Sequence, residues 1–80
     1  MAQVHHKALA LVEQHHWNDA HDLVHDNHDE LSCLIHGYLH RMEGDKVNAR
    51  YWYRRAGQCL PTNSLADEFV RLSEYIAQHE

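Results

Sequence analysis

The sequence predicts an all-α protein of about five antiparallel helices in one small domain. Apolar residues recur at helical spacing in five segments, and no segment alternates for long with the period of two that strands require. The single proline lies at a segment boundary. We expect one domain over residues 1–80, with core hairpins over residues 18–61 and a C-terminal helix over residues 64–79. Eighty residues provide a thin core, near the lower size limit of domains that fold alone.

The first two helices are short. The first is expected over residues 2–15, with an apolar stripe of Val4, Ala8, Leu11 and Val12. Asn18 is the predicted N-cap of a second helix over residues 19–26, with Asp19 favourable in its first turn. The Asn27-His28-Asp29 segment then forms a turn, and Asp29 caps the helix that follows.

The third helix is predicted over residues 30–43 and the fourth over residues 46–60. A broad apolar arc marks the third: Leu31, Leu34, Ile35, Tyr38, Leu39 and Met42. Gly44 ends it in a left-handed conformation, and Asp45 caps the fourth helix. Pro61 is expected to stop the fourth helix.

The fifth helix is predicted over residues 65–78. Ser64 followed by Asp67 resembles a capping box, in which a hydroxyl accepts a hydrogen bond from the third backbone amide of the helix. Its apolar face consists of Leu65, Phe69, Leu72 and Ile76. All connections are short, which favours antiparallel neighbours.

Composition restricts the partners. Twelve acids against seven Lys and Arg residues make the chain a poor generic binder of DNA or RNA, so no nucleic-acid partner is expected. No apolar run approaches membrane-spanning length, so no membrane partner is expected. The chain shows no secretory signal, and its two cysteines form no CxxC motif, which predicts reduced thiols in the cytoplasm. Ten histidines predict a net charge that changes strongly with pH.

Small and aromatic residues at fixed spacing follow the third helix into the fourth. Gly37, Ala49, Tyr53, Ala56 and Pro61 lie at the spacing of the tetratricopeptide-repeat signature, which this hairpin resembles. Gly37 and Ala49 would let two helices approach closely, and Tyr53 and Ala56 would pack along the same seam. The resemblance implies tetratricopeptide-like helical hairpins.

A longer string within residues 35–57 reads Ile-His-x-Tyr-Leu-His-Arg-x-Glu-Gly-Asp-x-x-Asn-Ala-x-Tyr-Trp-Tyr-Arg-Arg-Ala-Gly. With Trp17, Ala20 and His21, it resembles a group of small uncharacterised fungal and bacterial proteins. The resemblance implies no activity. It implies only that the polar string is a shared hallmark, which adds weight to a functional site there.

A metal site is the sharpest chemical prediction. His36, His40 and Glu43 are spaced i, i+4 and i+7, so they share one face of the third helix. If the second helix packs beside it, His21 joins them, and this set suits zinc or another divalent transition metal. The alternative is a buried polar seam, in which the histidines hydrogen-bond to Asn48, Glu43 or backbone carbonyls.

The fourth helix contains a candidate anion site. Arg54 and Arg55, with Asn48 and Trp52, are the predicted ligand-binding residues, because guanidinium groups grip phosphates and a neighbouring indole can stack on a ligand. The alternative is that the arginines pair with Glu43, Asp45 and other acids of the chain, and for Arg50 we expect such pairing.

The favoured function is a small cytosolic helical module that binds a protein partner or a second copy of itself. The first alternative is a metal-binding protein, with hydrolysis as one option, and the second is a binder of anions or phosphates. Enzymatic activity is not favoured and no catalytic residue is assigned, because the serines lie outside any nucleophile elbow and no glycine-rich phosphate loop is present.

Overall fold

The all-α prediction is confirmed by a computed structural model that describes residues 3–79. The described residues form five helices and no strand. None of these helices combines the length and the apolar character needed to cross a membrane. The helices are α1 (Gln3–Glu13), α2 (Trp17–Val24), α3 (Glu30–Met42), α4 (Lys46–Arg55) and α5 (Leu65–His79).

Helix α3 lies at the centre of the fold. It contacts all four other helices, and every residue from Leu31 to Leu39 is buried. Helices α1 and α2 pack as a hairpin, and α1 also touches α5. The backbone of α4, by contrast, approaches only that of α3. One long face of α4 is therefore left open to solvent.

All five helices contribute buried residues to the apolar core. Helix α3 contributes most of it, and the other helices each present a short stripe toward α3. The stripes are Ala8, Leu9 and Val12 in α1, Ala20 and Val24 in α2, Ala49 and Tyr53 in α4, and Leu72 and Ile76 in α5. A helix that is buried on all sides must also bury its polar residues, which is why His36 lies inside.

Three predicted helix caps are confirmed. The Asp29 side chain accepts a hydrogen bond from the backbone amide of Ser32, and that of Asp45 accepts one from the amide of Asn48. The Ser64 hydroxyl accepts one from the amide of Asp67 at 3.0 Å. Each bond pairs an amide that the first turn of a helix leaves without a partner.

The boundaries of α1 and α2 differ from the prediction. Ala2, the expected first residue of α1, lies outside the described residues, and the helix ends at Glu13 because His15 adopts a left-handed conformation with φ 66°. Helix α2 then begins at Trp17, with His16 at its N-cap and no side-chain hydrogen bond there. The assignment of Asn18 as N-cap is therefore wrong.

The end of α4 also differs. The helix stops at Arg55, five residues before the predicted end, and Gly57 follows in a left-handed conformation with φ 81°. The amide of Gln58 bonds back to the carbonyl of Tyr53, which is the six-residue closure that ends many helices. Pro61 comes too late to act as the stop. The described part of helix α5 runs to His79, one residue beyond its expected end.

The contact between α3 and α4 is as close as the small residues predict. A Cβ atom added to Gly37 would lie 2.6 Å from Cδ2 of Tyr53 and 3.2 Å from the backbone oxygen of Ala49. Tyr53 is fully buried across this glycine. Only a residue without a side chain fits at position 37 with α4 in this position.

The ring of Tyr53 is held from its far end by a buried carboxylate. Its hydroxyl donates to Glu68 Oε2 at 2.8 Å, and Arg71 donates to both oxygens of the same carboxylate at 2.7 Å. Asn63 adds a fourth hydrogen bond. Burial by itself would raise the pKa of Glu68, but the hydrogen bonds from Arg71, Asn63 and Tyr53 hold that pKa below its usual value. This network ties α5 to the α3–α4 pair.

We predict that Gly37→Ala destabilises the fold by about 1–3 kcal/mol. The added methyl group collides with the Tyr53 ring, and the ring cannot move aside without breaking its bond to Glu68. The free energy of unfolding from urea denaturation measures the effect, with Ser73→Ala as a matched control in the middle of α5. A loss below about 0.5 kcal/mol would show that α4 shifts freely.

Candidate metal centre

Three histidine side chains converge beside α3. His36 and His40 come from α3 and His21 comes from α2, and one ligand nitrogen of each lies within 4.8 Å of the others. The ring centroids of His21 and His36 are 4.7 Å apart, and those of His36 and His40 are 5.0 Å apart. The structure thus brings together the three histidines that the sequence placed in one candidate metal site.

His21 reaches this cluster because Trp17 attaches the start of α2 to α3. The indole N–H of Trp17 donates to the carbonyl oxygen of Leu39 at 2.8 Å. The Trp17 ring also stacks on His21, with centroids 4.9 Å apart. The bond from Trp17 to α3 was not predicted, and the i, i+4 spacing of Trp17 and His21 signals only the stacking of their rings.

His36 is the buried member of the cluster. It is 4% exposed, and Trp52 of α4 stacks on its ring with centroids 3.9 Å apart and planes 12° from parallel. Its Nδ1 atom is buried and has no hydrogen-bond partner among the described residues. A hydrogen-bonded polar seam predicts a partner for each histidine, and the structure shows one for His40, which bonds to Glu43, but none for Nδ1 of His36 among the described residues.

His40 is oriented by the acid one turn later on α3. Its Nδ1 atom lies 2.6 Å from Oε1 of Glu43, so Nδ1–H donates to the carboxylate and Nε2 keeps a free lone pair. Histidines that bind metals commonly donate their second ring nitrogen to a carboxylate in this way. Glu43 thus supports His40, and it lies close to Asp45 rather than beside all three rings.

The surroundings favour the neutral form of two of the three rings, His36 and His21. Burial, followed by the neighbouring His21 and His40, lowers the pKa of His36 to about 4. Burial also lowers the pKa of His21, with His40 and His25 as further causes. Neutral imidazole is the form that binds metal ions, so the lowered pKa values of His36 and His21 favour metal binding at these two rings.

The exposed surroundings of the cluster are also rich in possible ligands. His25 stacks on His21 with centroids 5.5 Å apart, and with Asp22 these two form a second close set on the outer side of α2. His25 and His28 are exposed. His28 lies near Trp52, with centroids 6.3 Å apart.

The four residues predicted to bind an anion are not gathered in one place. Asn48 donates to the Asp45 carboxylate at 2.6 Å, and Trp52 covers His36. Arg55 donates to the hydroxyl of Tyr51 and lies over the Tyr51 and Trp52 rings. Arg54 lies on the open face of α4.

Arg50 lies on the same open face of α4. It forms no ion pair within the described part of the chain, so its expected pairing with Glu43 or Asp45 is not found. Arg50 and Arg54 join Val47, Tyr51 and Arg55 around a shallow pocket of about 370 Å³. The unpaired arginines therefore belong to an exposed surface, apart from the histidine cluster.

A scan against protein-family models and searches of the curated proteins and of the solved structures found no match to this chain. The resemblances to the tetratricopeptide repeat and to the fungal and bacterial group stay predictions from the sequence strings.

We predict that the metal-free protein loses about 2 kcal/mol of stability through His36 when the pH falls from 7 to 5. The pKa of His36 is about 4 in the folded chain and 6.5 ordinarily. Between these two pH values the unfolded chain therefore binds a proton at His36 that the folded chain does not bind. The contribution of His36 to the free energy of unfolding is fully present above pH 6.5 and is lost as the pH falls toward 4. The nearby histidines His21, His40, His25 and His28 lower the pKa of His36 in the same direction as burial does.

Denaturation in EDTA at several pH values measures this loss, and His36→Leu is the comparison because it keeps an apolar side chain at the site. The variant should show a clearly shallower fall in stability between pH 7 and pH 5. Parallel curves for the two proteins would contradict a neutral, buried His36.

Proposed function

We propose that this chain is a small helical domain that binds zinc or another divalent transition metal through His21, His36 and His40. The observation that carries the proposal is the meeting of three imidazoles around a buried ring whose Nδ1 atom lacks a partner. A metal ion bound at this ring supplies the polar interaction that the described residues do not. The Glu43–His40 hydrogen bond supports the same conclusion, because it leaves Nε2 of His40 available.

The ligand set favours borderline metals. Three neutral imidazoles suit zinc, copper and nickel, and they leave one coordination position for water or another ligand. Glu43 is the acid that a metal-dependent hydrolase would use as a general base, but it is hydrogen-bonded to His40. We therefore propose metal binding without hydrolysis.

We predict that untagged protein, purified without a nickel column and stripped with EDTA, binds one equivalent of Zn²⁺ and becomes more stable. At a free metal concentration one hundred times Kd, the gain is about 2.7 kcal/mol. Trp17 and Trp52 flank the cluster, so tryptophan fluorescence reports occupancy directly. His21→Ala and His40→Ala should each weaken binding at least about tenfold, consistent with the loss of one ligand.

The matched control is His79→Ala, which removes a histidine from the end of α5, where its ring bonds back to its own helix. This variant should bind Zn²⁺ like the wild type. Equal affinity in His21→Ala, His40→Ala and His79→Ala, or no thermal shift at one equivalent of metal, would overturn the proposal.

A second candidate function is protein binding, and the open face of α4 is the observation that favours it. Among the described residues with large exposed hydrophobic side chains, Val47 is 76% exposed and Tyr51 is 49% exposed, and both lie on α4 beside Arg50 and Arg54. We propose that this basic face, here defined by these four residues, binds an acidic protein surface or a second copy of the chain. Tetratricopeptide-like hairpins, which are part of this proposal, commonly serve as such modules.

The cysteines fit a reducing compartment. Cys33 is buried and Cys59 is exposed, and both are free thiols. Exposed thiols stay reduced in the cytoplasm, so we propose that location for this interaction module.

We predict that the basic face binds an acidic peptide that also contains a leucine or phenylalanine. A fluorescently labelled glutamate-rich peptide, followed by anisotropy at low salt, measures the affinity. Arg50→Glu/Arg54→Glu should weaken binding by about 100-fold, because like charges then oppose each other. Lys46→Glu, on the same helix but outside the basic face, should change the affinity for the peptide far less. Equal losses of affinity in the two variants would show that the peptide responds only to net charge.

A further inference from the structure

The charges of this chain are separated by helix. Helix α4 carries Lys46, Arg50, Arg54 and Arg55, which are four of the seven Lys and Arg residues, and it carries no acid. All twelve acids and the three remaining bases lie outside it. A strongly basic helix on an acidic protein attracts acidic surfaces, and the rest of the same chain is one such surface.

The basic face offers apolar contact as well as charge. Val47 and Tyr51 are exposed, lie one helical turn apart along α4, and line the same shallow pocket as Arg50 and Arg54. Within the described part of the chain, neither arginine has an ion-pair or hydrogen-bond partner. Two unpaired guanidinium groups beside exposed apolar side chains are typical of surfaces that bind other proteins.

A complementary groove lies between α1 and α2. The groove is lined by Leu11 and Leu23, which are apolar, by the acids Asp19 and Asp22, and by one base, Lys7, and its volume is about 330 Å³. Asp19 and Asp22 are exposed, and their carboxylates form no ion pair with the described bases. Two acids against one base give the groove a net charge opposite to that of the basic face, and its two leucines offer apolar contact to the exposed side chains of that face.

We propose that the partner of the basic face is a second copy of this chain, and that Arg50 and Arg54 of one copy dock onto Asp19 and Asp22 of another. Val47 and Tyr51 then cover Leu11 and Leu23, which removes exposed apolar surface from both copies. This inference deepens the interaction function proposed above and rests on it, but it does not depend on metal binding. Charge attraction across such an interface weakens as salt rises.

Sedimentation velocity in EDTA tests the proposal, over protein concentrations from about ten micromolar to one millimolar. The wild type should gain mass with concentration at low salt and lose that gain in about 0.5 M salt, where screening is strong. Arg50→Glu/Arg54→Glu and Asp19→Lys/Asp22→Lys should each remain monomeric over the same range. Circular dichroism establishes that both variants are folded.

Mixing the two charge-reversed variants is the decisive measurement. Each then presents a surface that matches the other, so the mixture should associate although neither variant associates alone. Lys46→Glu and Glu74→Lys are the controls for net charge, since both residues are exposed and lie outside the two surfaces, and both variants should self-associate like the wild type.

The outcomes separate this inference from the function on which it rests. A wild type that stays monomeric but binds the acidic peptide overturns self-association and leaves the interaction function standing. A monomeric wild type that binds no peptide overturns both. Self-association that survives both charge reversals, or a mixture that stays monomeric, shows that the copies do not meet through these surfaces.

Discussion

The rest of this structure depends on the close approach of α3 and α4 at Gly37. The Tyr53 ring lies where a side chain at position 37 would be, so α4 lies unusually deep against α3. At this depth the Tyr53 hydroxyl reaches the buried carboxylate of Glu68, which brings α5 into place. The preceding residue, Trp52, covers His36. One missing side chain thus positions both the C-terminal helix and a wall of the histidine cluster.

The buried polar groups near this contact differ in how well they are satisfied. Glu68 is fully buried, and both of its oxygens accept hydrogen bonds from neighbouring side chains, so a structural role is enough to explain it. His36 is equally central, yet its Nδ1 atom has no partner among the described residues. The fully hydrogen-bonded Glu68 is therefore typical of a structural network. His36, which is unpaired at Nδ1 and lies beside two further imidazoles, is typical of a binding site.

Local signals explain which parts of the fold the sequence could predict. The caps at Asp29, Asp45 and Ser64 act within one turn, so their residues are enough to identify them. The end of α1 was missed because a histidine, His15, adopts the left-handed conformation that glycine usually takes. The convergence of His21 depends on the Trp17 bond to a backbone carbonyl of α3, and a bond between distant residues has no signature in local spacing.

The two proposed functions use opposite faces of the same two helices. On α4, Trp52 faces inward over His36, whereas Arg50 and Arg54 face outward. On α2, His21 faces the cluster, whereas Asp19 faces the outer groove. Neither helix backbone approaches the other, because α3 lies between them. Charge reversal at Arg50 and Arg54 therefore leaves the three imidazoles in place, and loss of an imidazole leaves these two charges in place. Asp22 differs, because its carboxylate lies within 4.8 Å of a ligand nitrogen of His21, so the variant in α4 is the one that separates the two functions.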